Sequence, residues 1–393
     1  LVIFLSRKIF KILFLLPVAV ITGFFFGNRF QLADTGAYKI RESFPPLVFL
    51  PDYQAGPKVF AGAAVLIEAK SGAVLYAKNP EIRRAPASTT KMMTAIVALE
   101  KGKLNRIIQV SRRAAATGGS TIRLRPGDRL SLRELLEGMM LCSGNDGSMA
   151  VAEGVAGSVI KFVELMNLKT KEIGALSTNF RNPHGLRAPT HYTTALDLAL
   201  IARYGLNDPR FAQLVKQKTG VLEWSGSGKK VAIKNTNRLL WYLEGADGIK
   251  TGTTSEAGHC LVASATRDGK RLIAVALNSE DRWGDCARLL EYGFREFGII
   301  TVARAVRPFC RIKVKGGKIS SVDLYPRRDL IAVVKNGGEE LLKPRIYLKK
   351  QPVKAPLFPG QICGKAGYEY HGEIVEGVDL VVRRPVRRGW RLW

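Results

Sequence analysis

The chain has 393 residues, 46% hydrophobic and 24% charged, a balance that excludes disordered and collagen-like classes and is long enough for two or three domains. Its five cysteines (Cys142, Cys260, Cys286, Cys310 and Cys363) never form a CxxC pair, and its four histidines contain no HExxH. That speaks against a zinc ribbon, an iron–sulfur cluster or a disulfide scaffold, leaves one or two bridges open, and predicts no cofactor or metal. With 61 Lys and Arg against 33 Asp and Glu, a net charge of +28, the partner is expected to be a polyanion: nucleic acid, anionic lipid or an acidic wall polymer.

The N-terminus chooses among these. Arg7, Lys8 and Lys11 precede an apolar run from Ile12 to Phe26, broken by Pro17, Thr22 and Gly23. Residues 1–28 read as a signal peptide or N-terminal membrane anchor, with the bulk of the chain exported. The run is short for a span of ~20 residues, yet no clear small-x-small cleavage site follows, so both forms stay open. Export removes nucleic acid as a partner. Residues 29–57, with Pro45, Pro46, Pro51 and Pro57, read as a linker. Two apolar runs around Lys70-Ser71-Gly72 predict a hairpin. Ser88 then opens a helix that Gly102 ends, with further helices expected near 131–142, 147–170 and 194–204. Residues 259–278 form two strand-like runs around Asp268-Gly269, a hairpin signal. Strands flanking a helical middle predict a sheet covered by helices. Residues 301–383 alternate short β-rich runs with Gly and Pro turns, predicting a small all-β domain. The basic tail 384–393 holds Trp390 and Trp393.

Three short motifs carry chemistry, each with decoys. Ser88-Thr89-Thr90-Lys91 is an SxxK tetrad; Ser158…Lys161 and Ser227…Lys230 share the spacing. Only Ser88 sits at a predicted helix start, where hydroxyl and amine share a face and free N–H groups point at developing negative charge. An ordinary N-cap is the plainer alternative. Ser143-Gly144-Asn145 lies at a helix junction and competes with Ser177-Thr178-Asn179. Lys250-Thr251-Gly252 precedes a strand; its copy Lys218-Thr219-Gly220 reads as a surface turn. No GxSxG elbow is present.

The ordered set SxxK, SxN, KTG, with RRAPASTTKMMTA, LCSGNDGSMAVAE, FRNPHGLRAPTHYTTALDLALIARY and DGIKTGTTSEAG around it, resembles the serine-type D-alanyl-D-alanine carboxypeptidases, the low-molecular-weight penicillin-binding proteins of peptidase family S11. The resemblance implies an α/β (α+β) penicillin-binding/β-lactamase-like transpeptidase fold, an antiparallel sheet covered by helices, as catalytic domain over 58–300. A C-terminal β-sandwich-like domain over 301–383 follows. It implies a nucleophile, Ser88, that attacks the carbonyl between two terminal D-alanines. Lys91 would be the neutral base, its pKa depressed by burial and by Lys250. Ser143 would pass the proton to the leaving amine; Asn145 would hold the substrate backbone. Lys250 and Thr251 would take the terminal carboxylate, and the N–H groups of Ser88 and Thr253 the oxyanion. Asp146, His184, Tyr192 and Asp197 read as structural. Arg282 is open between carboxylate recognition and an exposed surface role.

The implied partners are peptidoglycan stem peptides ending in D-Ala-D-Ala, β-lactam antibiotics as inhibitors, and the outer face of the cytoplasmic membrane, which Arg383 to Trp393 would touch unless the tail is merely frayed. Alternatives are a D,D-endopeptidase, a β-lactamase and a non-catalytic penicillin- or wall-binding protein. The β-lactamase lacks support because none of the five Glu between 146 and 250 has Asn four residues on.

Overall fold

Apolar runs joined by Lys70-Ser71-Gly72 fold into the first hairpin of a six-stranded sheet. In the computed structural model, residues 47–50, 53–348 and 352–389 are described. The predicted signal or anchor over 1–28 lies outside them; no helix among the described residues is long and apolar enough to cross a membrane.

In chain order come β1 (Val48–Phe49), β2 (Ala63–Glu68), β3 (Ala73–Lys78), a 3₁₀ turn (Ala87–Thr90), α1 (Lys91–Lys101), β4 (Ile107–Gln109), α2 (Arg112–Ala115), β5 (Arg129–Ser131), α3 (Leu132–Leu141), α4 (Asn145–Ala156) and α5 (Val159–Ile173). They continue with α6 (Ala195–Gly205), α7 (Pro209–Lys216), β6 (Thr219–Glu223), β7 (Lys230–Lys234), α8 (Leu239–Tyr242), β8 (Ala246–Thr254), β9 (Gly258–Arg267), β10 (Lys270–Ser279) and α9 (Arg282–Glu296). The sheet order is β1-β3-β2-β10-β9-β8, antiparallel except for β1 beside β3. β1 falls inside the stretch read as a linker: Val48 N donates to Gly72 O (3.0 Å) and Leu50 N to Val74 O (3.1 Å). An apolar Val-Phe-Leu run satisfies its backbone on an open sheet edge in spite of the prolines around it.

β2 is buried throughout. Ala63, Val65 and Ile67 join one core with Met92 and Ile96 of α1; Ala64 and Leu66 join the other with Cys286, Leu289 and Leu290 of α9. Because side chains alternate across a strand, a sheet covered on both faces reads as an unbroken apolar run. The β9–β10 turn falls at Asp268-Gly269, both at positive φ (49° and 76°), as a tight hairpin requires. α1 is buried from Lys91 to Leu99, the mark of a helix packed on all sides.

The single helix expected over 147–170 is two, α4 and α5, because Gly157 takes a left-handed φ of 71° after α4 and stops it.

The all-β part begins at Phe297, directly after α9, with β11 (Phe297–Ala303), β12 (Cys310–Lys315), β13 (Ser321–Pro326), β14 (Leu330–Lys335), β15 (Lys343–Leu348), β16 (Val353–Lys354), β17 (Ile362–Tyr370) and β18 (Glu373–Val382). β11 pairs with β14, and the other strands form a sheet ordered β15-β17-β18-β13-β12-β16. The first half of the tail is not frayed: Val386, 2% exposed, exchanges backbone hydrogen bonds with Leu357 (2.9 and 3.0 Å). Trp390 and Trp393 lie outside the described residues.

Candidate active site

Ala85-Pro86-Ala87 leads into the 3₁₀ turn that carries Ser88, so α1 begins at Lys91, later than the sequence predicts. Ser88 is therefore no N-cap of α1; neither capping position makes a side-chain capping bond. In a 3₁₀ turn residues i and i+3 eclipse, and Lys91 Nζ stands 2.8 Å from Ser88 Oγ. Lys91 is fully buried and also reaches Asn145 Oδ1 and the carbonyl oxygen of His184, both at 2.7 Å. All three partners are neutral. Burial and then Lys250 push the Lys91 amine well below the ordinary lysine range, against an upward pull from Asp146.

Asn145, the first residue of α4, has both ends of its amide engaged: Oδ1 by Lys91 and Nδ2 on Gly118 O (2.7 Å). Ser143, just before α4, is buried at φ 63° and makes no hydrogen bond to the described residues. A left-handed non-glycine at this position is local strain held by its surroundings. Asp146 locks the junction from beneath, accepting from the N–H groups of Ile122 (3.0 Å), Leu124 (3.0 Å) and Gly147 (2.8 Å).

Lys250, Thr251 and Thr253 lie on β8, the last strand of the sheet. Lys250 is 1% exposed; burial first, then Arg282, lower its pKa to about 7, with Cys142 opposing. β8 runs against the turn that carries Ser88. A Cβ on Gly252 would stand 3.0 Å from Ser88 N and 3.1 Å from Pro86 O, so the missing side chain lets strand and turn approach. Thr251 Oγ1 lies 2.8 Å from Thr236 Oγ1. Arg282 is not a free surface side chain: Nη1 donates to Gly252 O (2.9 Å) and Thr253 Oγ1 (2.7 Å). A cavity of about 810 Å3 opens beside this strand, lined among others by Thr236, Arg238, Trp241, His259 and Arg282.

The decoys sit apart from these contacts. Ser158 precedes α5 with Lys161 exposed. Ser227 bonds Trp224 O, and Lys230 pairs with Glu223. Thr178 of the second Ser-x-Asn is buried on Asp197. Thr219 and Gly220 begin β6 rather than a surface turn, because the stretch pairs with β7.

Residues 52–281 match the family model described as D-alanyl-D-alanine carboxypeptidase. The chain belongs to that family. Residues 306–388 match the C-terminal domain of penicillin-binding protein 5. Similar relatives are the D-alanyl-D-alanine carboxypeptidases DacF of Bacillus subtilis, 35% identical over 84% of this chain and 86% of its own, and DacC of Escherichia coli, 35% identical over 89% and 91%. Penicillin-binding protein 5 of Haemophilus influenzae superposes with a TM-score of 0.77 at 32% identity, over 85% of this chain and 99% of its own. The carboxypeptidase-family fold expected from the motifs, a helix-covered sheet followed by an all-β domain, is the one found.

Two contacts escape motif reading. The His184 carbonyl is a backbone group, and its only trace in sequence is the Asn-Pro-His-Gly turn. Gly185 there has φ 92°, and a Cβ on it would overlap Ala87 O at 1.8 Å. Thr236 lies outside the three motifs, directly before Asn237-Arg238-Leu239-Leu240-Trp241, a string that resembles the family but names no role for the threonine.

Proposed function

We propose that this chain is a serine-type D-Ala-D-Ala carboxypeptidase that trims peptidoglycan stem peptides on the outer side of the cytoplasmic membrane and is acylated by penicillins. The observation that carries it is a fully buried lysine, flanked by a second cation and neutral partners, 2.8 Å from a partly buried serine hydroxyl. Ser88 Oγ attacks the carbonyl carbon between the two D-alanines while its proton passes to Lys91 Nζ. The tetrahedral oxyanion is held by the N–H groups of Ser88 and Thr253, on the turn and strand that Gly252 lets meet. The C–N bond breaks, and the departing amine takes the proton from Lys91 by way of the Ser143 hydroxyl. Water then hydrolyses the ester, with Lys91 again the base. Lys250, Thr251 and Arg282 receive the terminal carboxylate. Asn145, with its oxygen on Lys91, orients the base and keeps one N–H for the substrate backbone.

Export by residues 1–28, whether cleaved or kept, supplies the location, and the Arg/Trp end of the chain suits an anionic membrane surface. Purified protein is expected to release D-alanine from a peptide ending in D-Ala-D-Ala, and Ser88→Ala to release none above background. Equal release by both would overturn the assignment. The base must be neutral, so kcat rises with pH through the depressed Lys91 pKa. The acid limb should therefore be complete well below ~10.4, the range of an ordinary lysine. An activity that climbs only above about pH 10 would contradict this role.

A further inference from the structure

A second hollow, of about 460 Å3, opens between three chain segments. Arg83 to Ala85 lead into the turn of Ser88; Arg187 to Tyr192 follow His184, whose carbonyl holds Lys91; Glu256 stands in the turn after Thr253-Thr254. These segments are fastened to the acylating turn. Arg84 and Thr193 exchange backbone hydrogen bonds (2.8 and 2.9 Å), and Thr90 Oγ1 lies 3.0 Å from His191 Nε2. The hollow shares no lining residue with the cavity that holds Arg282 and Thr236. Arg83 to Ala85 join this hollow to the turn of Ser88, so with the terminal carboxylate at Lys250, Thr251 and Arg282, an acyl chain that leaves Ser88 on the side of that turn would enter it.

Its charge is unbalanced: three arginines face one glutamate. Arg84 is committed to Gly62 O (3.2 Å). The other two are available. Arg83 is exposed with its guanidinium 4.5 Å above the Tyr192 ring, which fixes its plane while leaving its N–H edge free. Arg187, 83% exposed, pairs with the half-exposed Glu256 only at 3.6 Å, a water-exposed contact that a better acceptor can displace. His191 adds no charge, because burial holds its ring down to about 4.

We propose that Arg83 and Arg187 form a subsite for a free carboxylate on the acyl side of the scissile bond, so that anionic peptides are the preferred substrate class. The proposal rests on Ser88 being the acylating serine. It is tested with paired peptides ending in D-Ala-D-Ala that differ only in a side-chain carboxylate, free or amidated, at either of the two residues before the D-alanine pair. Wild-type protein should favour the free acid in kcat/KM by about tenfold at one of these positions, as for one charge-assisted contact. That preference should shrink as salt is added. Arg83→Ala with Arg187→Ala should bring the ratio near one, and Arg187→Glu should invert it. Labelling of Ser88 by fluorescent penicillin reports that each variant is folded. Equal rates for both peptides in the wild type, or a preference that survives the double substitution, overturns the subsite and leaves carboxypeptidase activity standing. Labelling of Ser88 without D-alanine release from either peptide overturns both.

Discussion

Replacing Lys91 by alanine is expected to slow acylation of Ser88 by penicillin by about 10³-fold or more, the range for loss of a positioned general base. The substitution removes the amine bonded to Ser88 Oγ and leaves Asn145 Oδ1 and the His184 carbonyl around a small polar space, which water can fill. The fold should survive, since the groups left behind are neutral acceptors. Lys91→Arg is expected to be as inactive, because a guanidinium does not give up its proton at any working pH. A lysine acting only as a positive charge would be largely replaced by arginine, so the two explanations separate. The rate of label incorporation, measured beside circular dichroism of each variant, decides it. An acylation rate within tenfold of wild type for Lys91→Ala would contradict the assignment.

Asp146→Ala should carry the largest loss of stability among the residues around the site. The carboxylate is 1% exposed and accepts from the N–H groups of Ile122, Leu124 and Gly147. Alanine leaves three donors without partners at about 1–3 kcal/mol each, of which relaxation and water recover part. A net loss of about 3–5 kcal/mol corresponds to a fall in Tm on the order of 10 °C. Asn145 should lose its anchor as well, since its Nδ2 rests on Gly118 O in the loop that Asp146 holds. Acylation by the fraction that remains folded should therefore be slower. Asp146→Asn keeps one acceptor oxygen and should fall between the two. A Tm within 2–3 °C of wild type for Asp146→Ala, roughly the effect of about 1 kcal/mol, would show that the junction is held by other contacts.

Much of this site is legible in the sequence, for a physical reason. The tasks need particular side chains at fixed local spacing, and local spacing is what a sequence displays. Ser88 and Lys91 meet because i and i+3 meet in either an α or a 3₁₀ turn, so the prediction survives an error in the helix start. The hairpin at Asp268-Gly269 is legible because few residue pairs accept positive φ twice in succession. What stays hidden is carried by backbone or by distant packing. The His184 carbonyl has no side-chain signature, and Thr236 meets Thr251 only after α8 has turned the chain back into β8. Three boundaries were shifted by tertiary pairing. Val48–Phe49 found an open sheet edge, Thr219–Gly220 found β7, and Val386 found Leu357; composition marks all three as linker, turn and tail. Gly157 was visible but ambiguous, since a glycine inside a helical pattern is as often tolerated as terminating.

The central claim is that Ser88 forms the acyl-enzyme, and locating a penicillin adduct tests it most directly. The protein is incubated with fluorescent penicillin, digested, and the labelled peptide identified by mass, with Ser88→Ala treated in parallel. We expect a single stable adduct on the peptide containing Ser88, absent from the variant. An adduct on another residue, or undiminished labelling of Ser88→Ala, would contradict the account, as would rapid turnover of the penicillin with no adduct.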